Sequence, residues 1–134
     1  MKSFTFALLT FFVSQVLWAQ KPMVSGPAIT WEKNTYDFGD IVQGEKAEHV
    51  YTFTNTGNEP LIITNVAVTC GCTTPKGWPR DPINAGGKGE IDIQFDSTHK
   101  VGRQNKVVRI ISNAIGGNNQ ITFSANVLEK KLSN

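Results

Sequence analysis

Charge of one sign, cysteine and histidine are all scarce in this chain. Thirteen Lys and Arg stand against eleven Asp and Glu, a formal charge of +2, which gives no basic field of the kind that draws nucleic acid. Two Cys and two His are too few to suggest a rich metal centre. The common catalytic signatures are missing as well. There is no Gly-X-Ser-X-Gly elbow and no His-Glu-X-X-His pair, and Gly86-Gly87-Lys88-Gly89 lacks the Ser or Thr and the strand-to-helix setting of a phosphate loop. Ser97 and His99 lie close in sequence, but no buried Asp or oxyanion hole can be assigned to them, which argues against hydrolase chemistry. No stretch of ten residues keeps a 3.6-residue period, so parallel α/β folds are excluded, and with them the helix N-terminus that thioredoxin-type chemistry requires at Cys72. Internal repeats and low-complexity segments are also missing. Disorder is not the alternative, because eight Phe, three Trp and two Tyr suffice for a core.

What is present begins with an export signal. Met1 and Lys2 open the chain, Phe4 through Trp18 form an apolar run broken by Thr5, Thr10, Ser14 and Gln15, and Ala19 supplies the small residue before a cut. The strongly apolar part falls short of the ~20 residues needed to span a bilayer, and no Cys follows to accept a lipid. Residues 1–19 are therefore expected to be removed, leaving a chain of 115 out of 134 residues with no membrane insertion, in the periplasm or outside the cell. Losing Lys2 brings the balance to twelve basic against eleven acidic residues. Residues 20–28, with Pro22, Gly26 and Pro27, read as a flexible lead-in to one domain over residues 29–130.

From there the period is that of strands. Lys46 to Asn55 sets Tyr51 and Phe53 on one face, Leu61 to Val68 is rich in branched residues, and Glu90 to Asp96 alternates Ile91, Ile93 and Phe95 with Asp92, Gln94 and Asp96. Lys106 to Ser112 and Gln120 to Leu128 repeat the signal, while Ile29 to Lys33 and Tyr36 to Phe38 read as one interrupted edge strand. Gly39-Asp40, Gln43-Gly44, Asn55-Thr56-Gly57-Asn58, Ala85 to Gly89 and Gly116 to Asn119 read as turns. In the first of the longer turns, Asn55 is expected to bond its own backbone two residues on, with Gly57 left-handed. About seven short strands at this spacing predict an all-β, immunoglobulin-like antiparallel β-sandwich.

Phe53-Thr54-Asn55-Thr56-Gly57-Asn58-Glu59-Pro60-Leu61-Ile62-Ile63, then Cys70-Gly71-Cys72-Thr73, then Pro82-Ile83 and Ala85-Gly86-Gly87, together resemble the DUF1573 family of exported bacterial domains. The resemblance runs from Tyr36-Asp37-Phe38-Gly39 to Ser112-Asn113. It implies an immunoglobulin-like sandwich related to the major-sperm-protein and PapD-like groups, and it carries no established biochemical activity. Ala85 stands where the family pattern usually has Pro, which relaxes a turn and changes no chemistry.

Cys70-Gly71-Cys72 is the one reactive constellation. Two Cys one residue apart point to the same face, and Gly71 allows the backbone to bring the sulfurs together or both onto one ion. Three states are open: an intrachain bridge, a thiolate pair on a soft metal such as Cu or Zn, and two free thiols. A bridge in so small a ring would be readily reduced, so redox work belongs among the readings. Completing a metal site falls to His99, in a polar loop, or to Met23 or His49, the last reading more simply as a strand-face residue beside Tyr51 and Phe53.

Between Thr73 and Pro82 the chain presents Lys76, Trp78 and Arg80 in a proline-bounded loop beside the Cys pair. Trp78 either covers one end of the sandwich or anchors a partner, since Trp and Arg concentrate at binding hot spots. The sequence thus predicts a non-enzymatic exported module whose partner is another envelope or secreted protein, with no cofactor. A thiol-redox or metal-handling protein acting through Cys70 and Cys72 is the alternative.

Overall fold

The computed structural model describes residues 25–117 and 119–132; residues 1–19, expected to be an export signal, and residues 20–24 of the expected lead-in lie outside them. Eight strands form two four-stranded sheets, and no helix occurs among the described residues. The strands are β1 (Ile29–Trp31), β2 (Thr35–Val42), β3 (Lys46–Asn55), β4 (Ile63–Val68), β5 (Thr73–Gly77), β6 (Lys88–Asp96), β7 (Gly102–Ser112) and β8 (Gln120–Leu128). One sheet runs β1-β3-β6-β5 and the other β2-β8-β7-β4. All pairings are antiparallel except β2 with β8.

Alternation places the core. Tyr51 and Phe53 of β3 and Ile91, Ile93 and Phe95 of β6 point inward from the first sheet, meeting Val108, Ile110, Ile121, Phe123, Ala125 and Val127 of the second. Phe53 and Ile93 are buried as the period-2 pattern requires, and Phe123 packs on Phe38 and Phe95 with centroids at 5.6 and 5.3 Å. Phe53 also needs Gly89 opposite it, where a Cβ would lie 2.5 Å from the ring. The Tyr51 hydroxyl donates to the Thr122 carbonyl at 2.9 Å, a bond from one sheet to the other, and burial holds this phenol protonated.

Three expectations about the strands change on folding. The interrupted edge strand is two strands in different sheets, because after Trp31 the chain crosses over: the Glu32 N–H donates to Thr52 of β3, whereas Asn34 accepts from the Thr122 N–H of β8. Gly39-Asp40 is no turn but a bulge inside β2, with Gly39 at φ 69° and its N–H donated to the Asp37 carboxylate at 2.9 Å. Half of the proline-bounded loop is strand β5, which takes the open edge of β6 and raises the count from seven to eight. Pro75 is accommodated there because β5 is an edge strand, with a bulge between Pro75 and Gly77.

One end of the sandwich closes on Asn55, fully buried at the end of β3. Its side-chain NH₂ donates to the Glu59 and Ile83 carbonyls at 2.8 and 2.9 Å, and its Oδ1 accepts from Gly57 and Ala28 at 3.1 and 3.2 Å. Its backbone N–H donates to Gly87 and its carbonyl accepts from Gly86. The Asn55 to Gly57 bond is the one expected of an Asx turn, but Gly57 does not adopt positive φ. Glycine is required there for space: a Cβ would sit 2.0 Å from the Gly26 carbonyl oxygen. The end of the lead-in is correspondingly fixed, with Gly26 and Pro27 buried, the Gly26 N–H donated to Asn58 Oδ1 at 2.7 Å and Pro27 accepting from the Ile115 N–H.

Asn55→Ala would strand the Glu59 and Ile83 carbonyls and the Gly57 and Ala28 N–H groups, while the backbone bonds to Gly86 and Gly87 remain. At about 1–3 kcal/mol for each buried polar group left unpaired, the expected loss is ~3 kcal/mol or more, roughly 10 °C or more in Tm. Calorimetry of Asn55→Ala beside Asn126→Ala, which removes an exposed amide, checks this; equal melting temperatures would remove Asn55 from its structural role.

Candidate functional site

At the other end of the sandwich, β4 stops at Val68 and the chain turns before β5 starts at Thr73. The turn is held by backbone: the Thr73 N–H donates to the Cys70 carbonyl at 3.1 Å and the Asp96 N–H to the Cys72 carbonyl at 2.8 Å. The structure joins Cys70 and Cys72 in a disulfide with Cα atoms 5.1 Å apart. Both residues are half-buried and Gly71 between them is exposed, with open space around it. Cys72 packs against the core, and its N–H donates to Cys70 Sγ at 3.1 Å.

The Cu or Zn set of Cys70, Cys72 and His99 is not assembled. Among the described residues no group of three or more His, Cys, Asp or Glu side chains is placed to hold a metal. His99 is exposed at φ 61° in the turn from β6 to β7, where the Lys100 N–H closes back on the Ser97 carbonyl at 3.0 Å. Ser97 is buried beneath it and serves structure: its hydroxyl donates to the Glu45 carbonyl at 2.7 Å and accepts from the Gly44 N–H at 3.0 Å, tying two turns together. Met23 lies outside the described residues.

Strand β5 lies between the Cys pair and Trp78 and Arg80, with Lys76 inside it. From Thr73, opposite Phe95, to Gly77, opposite Asp92, it advances three residues of β6, roughly 10 Å at about 3.3 Å each, before Trp78 is reached. Trp78 is half-buried against the core with its indole N–H buried and unpartnered, so it covers the sandwich. It also supports a charge, since the exposed Arg80 guanidinium lies over its ring at 3.7 Å from the centroid. Lys76 projects from the outer face of the same sheet, near Glu48 and Asp92. The hydrogen bond and like charge of Asp92 raise the Glu48 carboxyl above its ordinary range, and Lys76 opposes that shift.

His49 is a face residue of β3 with a contact its neighbours in sequence do not foretell. Its ring stacks on Tyr36 of β2 at 3.6 Å and 10°, and meets Tyr51 edge-on at 4.7 Å. The stack joins the two sheets along the seam between β2 and β3. Burial pushes the His49 imidazole below its ordinary value by disfavouring the charged form. Only the crossover after Trp31, which puts Tyr36 in the opposite sheet, makes this pair visible.

Comparison with known proteins agrees with the sandwich. The family model described as "Protein of unknown function (DUF1573)" matches residues 29–127. No curated protein matches the chain. Among solved structures, a protein of unknown function from Porphyromonas gingivalis W83 is similar at TM-score 0.64 and 18% identity, covering 82% of this chain, which spans only 51% of that one. The ASH/PapD-like domain 7 of human CEP192 is similar at TM-score 0.61 and 12% identity, covering 95% of this chain and 100% of that one. The VesB protease of Vibrio cholerae is similar at TM-score 0.58 and 14% identity, over 74% of this chain and 31% of the protease. Identities this low establish shared fold.

Two outcomes follow from the geometry. Replacing both Cys70 and Cys72 by Ser should leave a cooperatively folding domain, because a bridge across a single intervening residue constrains the unfolded chain far less than the ~2–4 kcal/mol of a typical disulfide; loss of a cooperative urea transition in the double variant would contradict it.

His49 gives a pH dependence of definite sign. With its folded pKa below the unfolded value of about 6.5, the unfolded chain binds more protons in that window, so stability is lost as pH falls from 7 towards 5. Asp37 and Asp96, lowered chiefly by hydrogen bonds from Gly39 and Thr98, act in a lower window. Urea midpoints should fall less for His49→Gln than for wild type over that range, and identical pH profiles would refute the assignment.

Proposed function

The chain belongs to the DUF1573 family, and on that premise we propose that it is an exported, non-enzymatic β-sandwich module that binds another protein of the envelope or the extracellular space. The observation that carries this reading is the Arg80 guanidinium seated over the Trp78 ring. Trp78 is fixed by the core below it, and Pro75, Pro79 and Pro82 stiffen the segment that presents the pair. An aromatic and a cation already ordered before contact lose little entropy on binding, and these residue types dominate interface hot spots.

Binding through side chains also accords with the sheet edges. β1 has three residues, β5 carries Pro75 and a bulge, and β2 and β4 are each interrupted by a bulge. Such devices blunt an edge against accepting another strand. A partner is therefore expected to meet the outer surface around Lys76, Trp78 and Arg80.

The test keeps the covering ring in place. Lys76 and Arg80 are both exposed, so Lys76→Glu with Arg80→Glu reverses the charge without disturbing the core. Tagged protein from the exporting cell, crosslinked and purified from envelope and medium, should yield partners that this variant recovers at about one tenth of the wild-type level or less. Arg109→Glu, on the other sheet, should recover them fully. Equal recovery by all three proteins would end the assignment of the surface.

A further inference from the structure

The Cys70 to Cys72 bridge is not what closes its own turn. Its turn is held by the bonds from Thr73 to Cys70 and from Asp96 to Cys72, and both use backbone atoms alone. Opening the bridge breaks neither. Coupling between a bond and a fold is reciprocal: a bridge that adds little to the stability of the domain is itself little stabilised by the domain. Structural disulfides resist thiols because folding holds them closed, and a turn already closed by its backbone bonds gives this one little such protection.

We propose that Cys70 and Cys72 form an exchange-active pair that oxidises dithiols in other exported proteins. Cys70 is the entry sulfur. Cys72 packs on the core whereas Cys70 does not, and the exposed Gly71 leaves open space beside it. A substrate thiolate attacks Cys70 Sγ and forms a mixed disulfide as the Cys70 to Cys72 bond breaks, and Cys72 leaves as a thiolate. The second thiol of the substrate gives up its proton and attacks its own sulfur in the mixed disulfide, expelling Cys70. The substrate dithiol thereby loses two electrons and two protons and becomes a disulfide; the pair gains them as two thiols. The Cys72 N–H donates to Cys70 Sγ in the closed bridge; kept on reduction, that bond would favour thiolate at Cys70 and make the same sulfur the nucleophile in the reverse direction. Confinement of both thiols to one short turn, with no other Cys in the chain, makes the reaction a clean two-electron exchange.

The probe is a synthetic peptide with two reduced cysteines, mixed with oxidised wild-type protein and quenched by alkylation for mass spectrometry. Peptide disulfide and protein dithiol should appear in equal amounts, while circular dichroism stays that of the folded domain. In glutathione buffers the pair should open at millimolar reduced glutathione. A bridge that stays closed across the series, or opens only as the fold is lost, would overturn the proposal. The order of attack is read from single variants: Cys72→Ser, which keeps Cys70, should form a mixed disulfide with oxidised glutathione about tenfold faster than Cys70→Ser. Equal rates would overturn the assignment of Cys70 as the entry sulfur.

Discussion

The buried amide of Asn55 is the interaction on which the upper end of this sandwich depends. Sheets are held along their strands by ladders, but where strands end the backbone groups of the connecting segments have no ladder partner. Asn55 supplies partners to four segments at once: the lead-in through Ala28, its own turn through Gly57 and Glu59, the connection after β5 through Ile83, and the turn before β6 through Gly86 and Gly87. The side-chain amide reaches the first three because it carries two donors and an acceptor with two lone pairs, and the Asn55 backbone holds Gly86 and Gly87. A carboxylate would lack the donors and a hydroxyl the reach. The close approach of Gly57 to the Gly26 carbonyl is a consequence of the same gathering.

Ser97 answers to Asn55 at the opposite end. It is equally buried, and it joins the turn between β2 and β3 to the turn between β6 and β7 through the Gly44 N–H and the Glu45 carbonyl. With both ends closed by buried polar groups, and with Tyr51 bonded from one sheet to the other, the framework does not draw on the Cys pair or on Arg80. Side chains outside that framework are free to vary in state or partner without loosening the core.

Much of the fold was legible because the strong signals are local. β3 and β8 end where their alternation ends, and Phe53, Ile93 and Phe123 are buried on the faces their period assigns. What escaped the sequence depends on contacts between distant residues. Ile29 to Phe38 looks like one strand until the ladder partners, Phe53 for Trp31 and Phe123 for Tyr36, show that it serves two sheets. Thr73 to Gly77 has Thr-Thr-Pro-Lys-Gly, poor material for a strand by propensity, and is recruited by the open side of β6. The stack of His49 on Tyr36 exists only once that crossover is known. At the candidate site the residue types were readable, but that a strand lies between Cys72 and Trp78, six positions apart in sequence, was not.

That strand has a mechanical meaning. β5 pairs on one side only, with β6, and its first residue, Thr73, is buried whereas Lys76 and Arg80 are exposed. Its proline cannot donate, and its bulge after Pro75 interrupts the register before Trp78 is reached. A change at the Cys turn would have to travel through Thr73, held in the core, and then across a broken ladder, to move the Trp78 ring, which has its own support from the core. Coupling between such independent anchors needs an element with two discrete arrangements, and the structure shows one arrangement of β5. The disulfide turn and Trp78 therefore flank the two ends of one strand, each packed on the same core through its own residue, Cys72 before β5 and Trp78 after it.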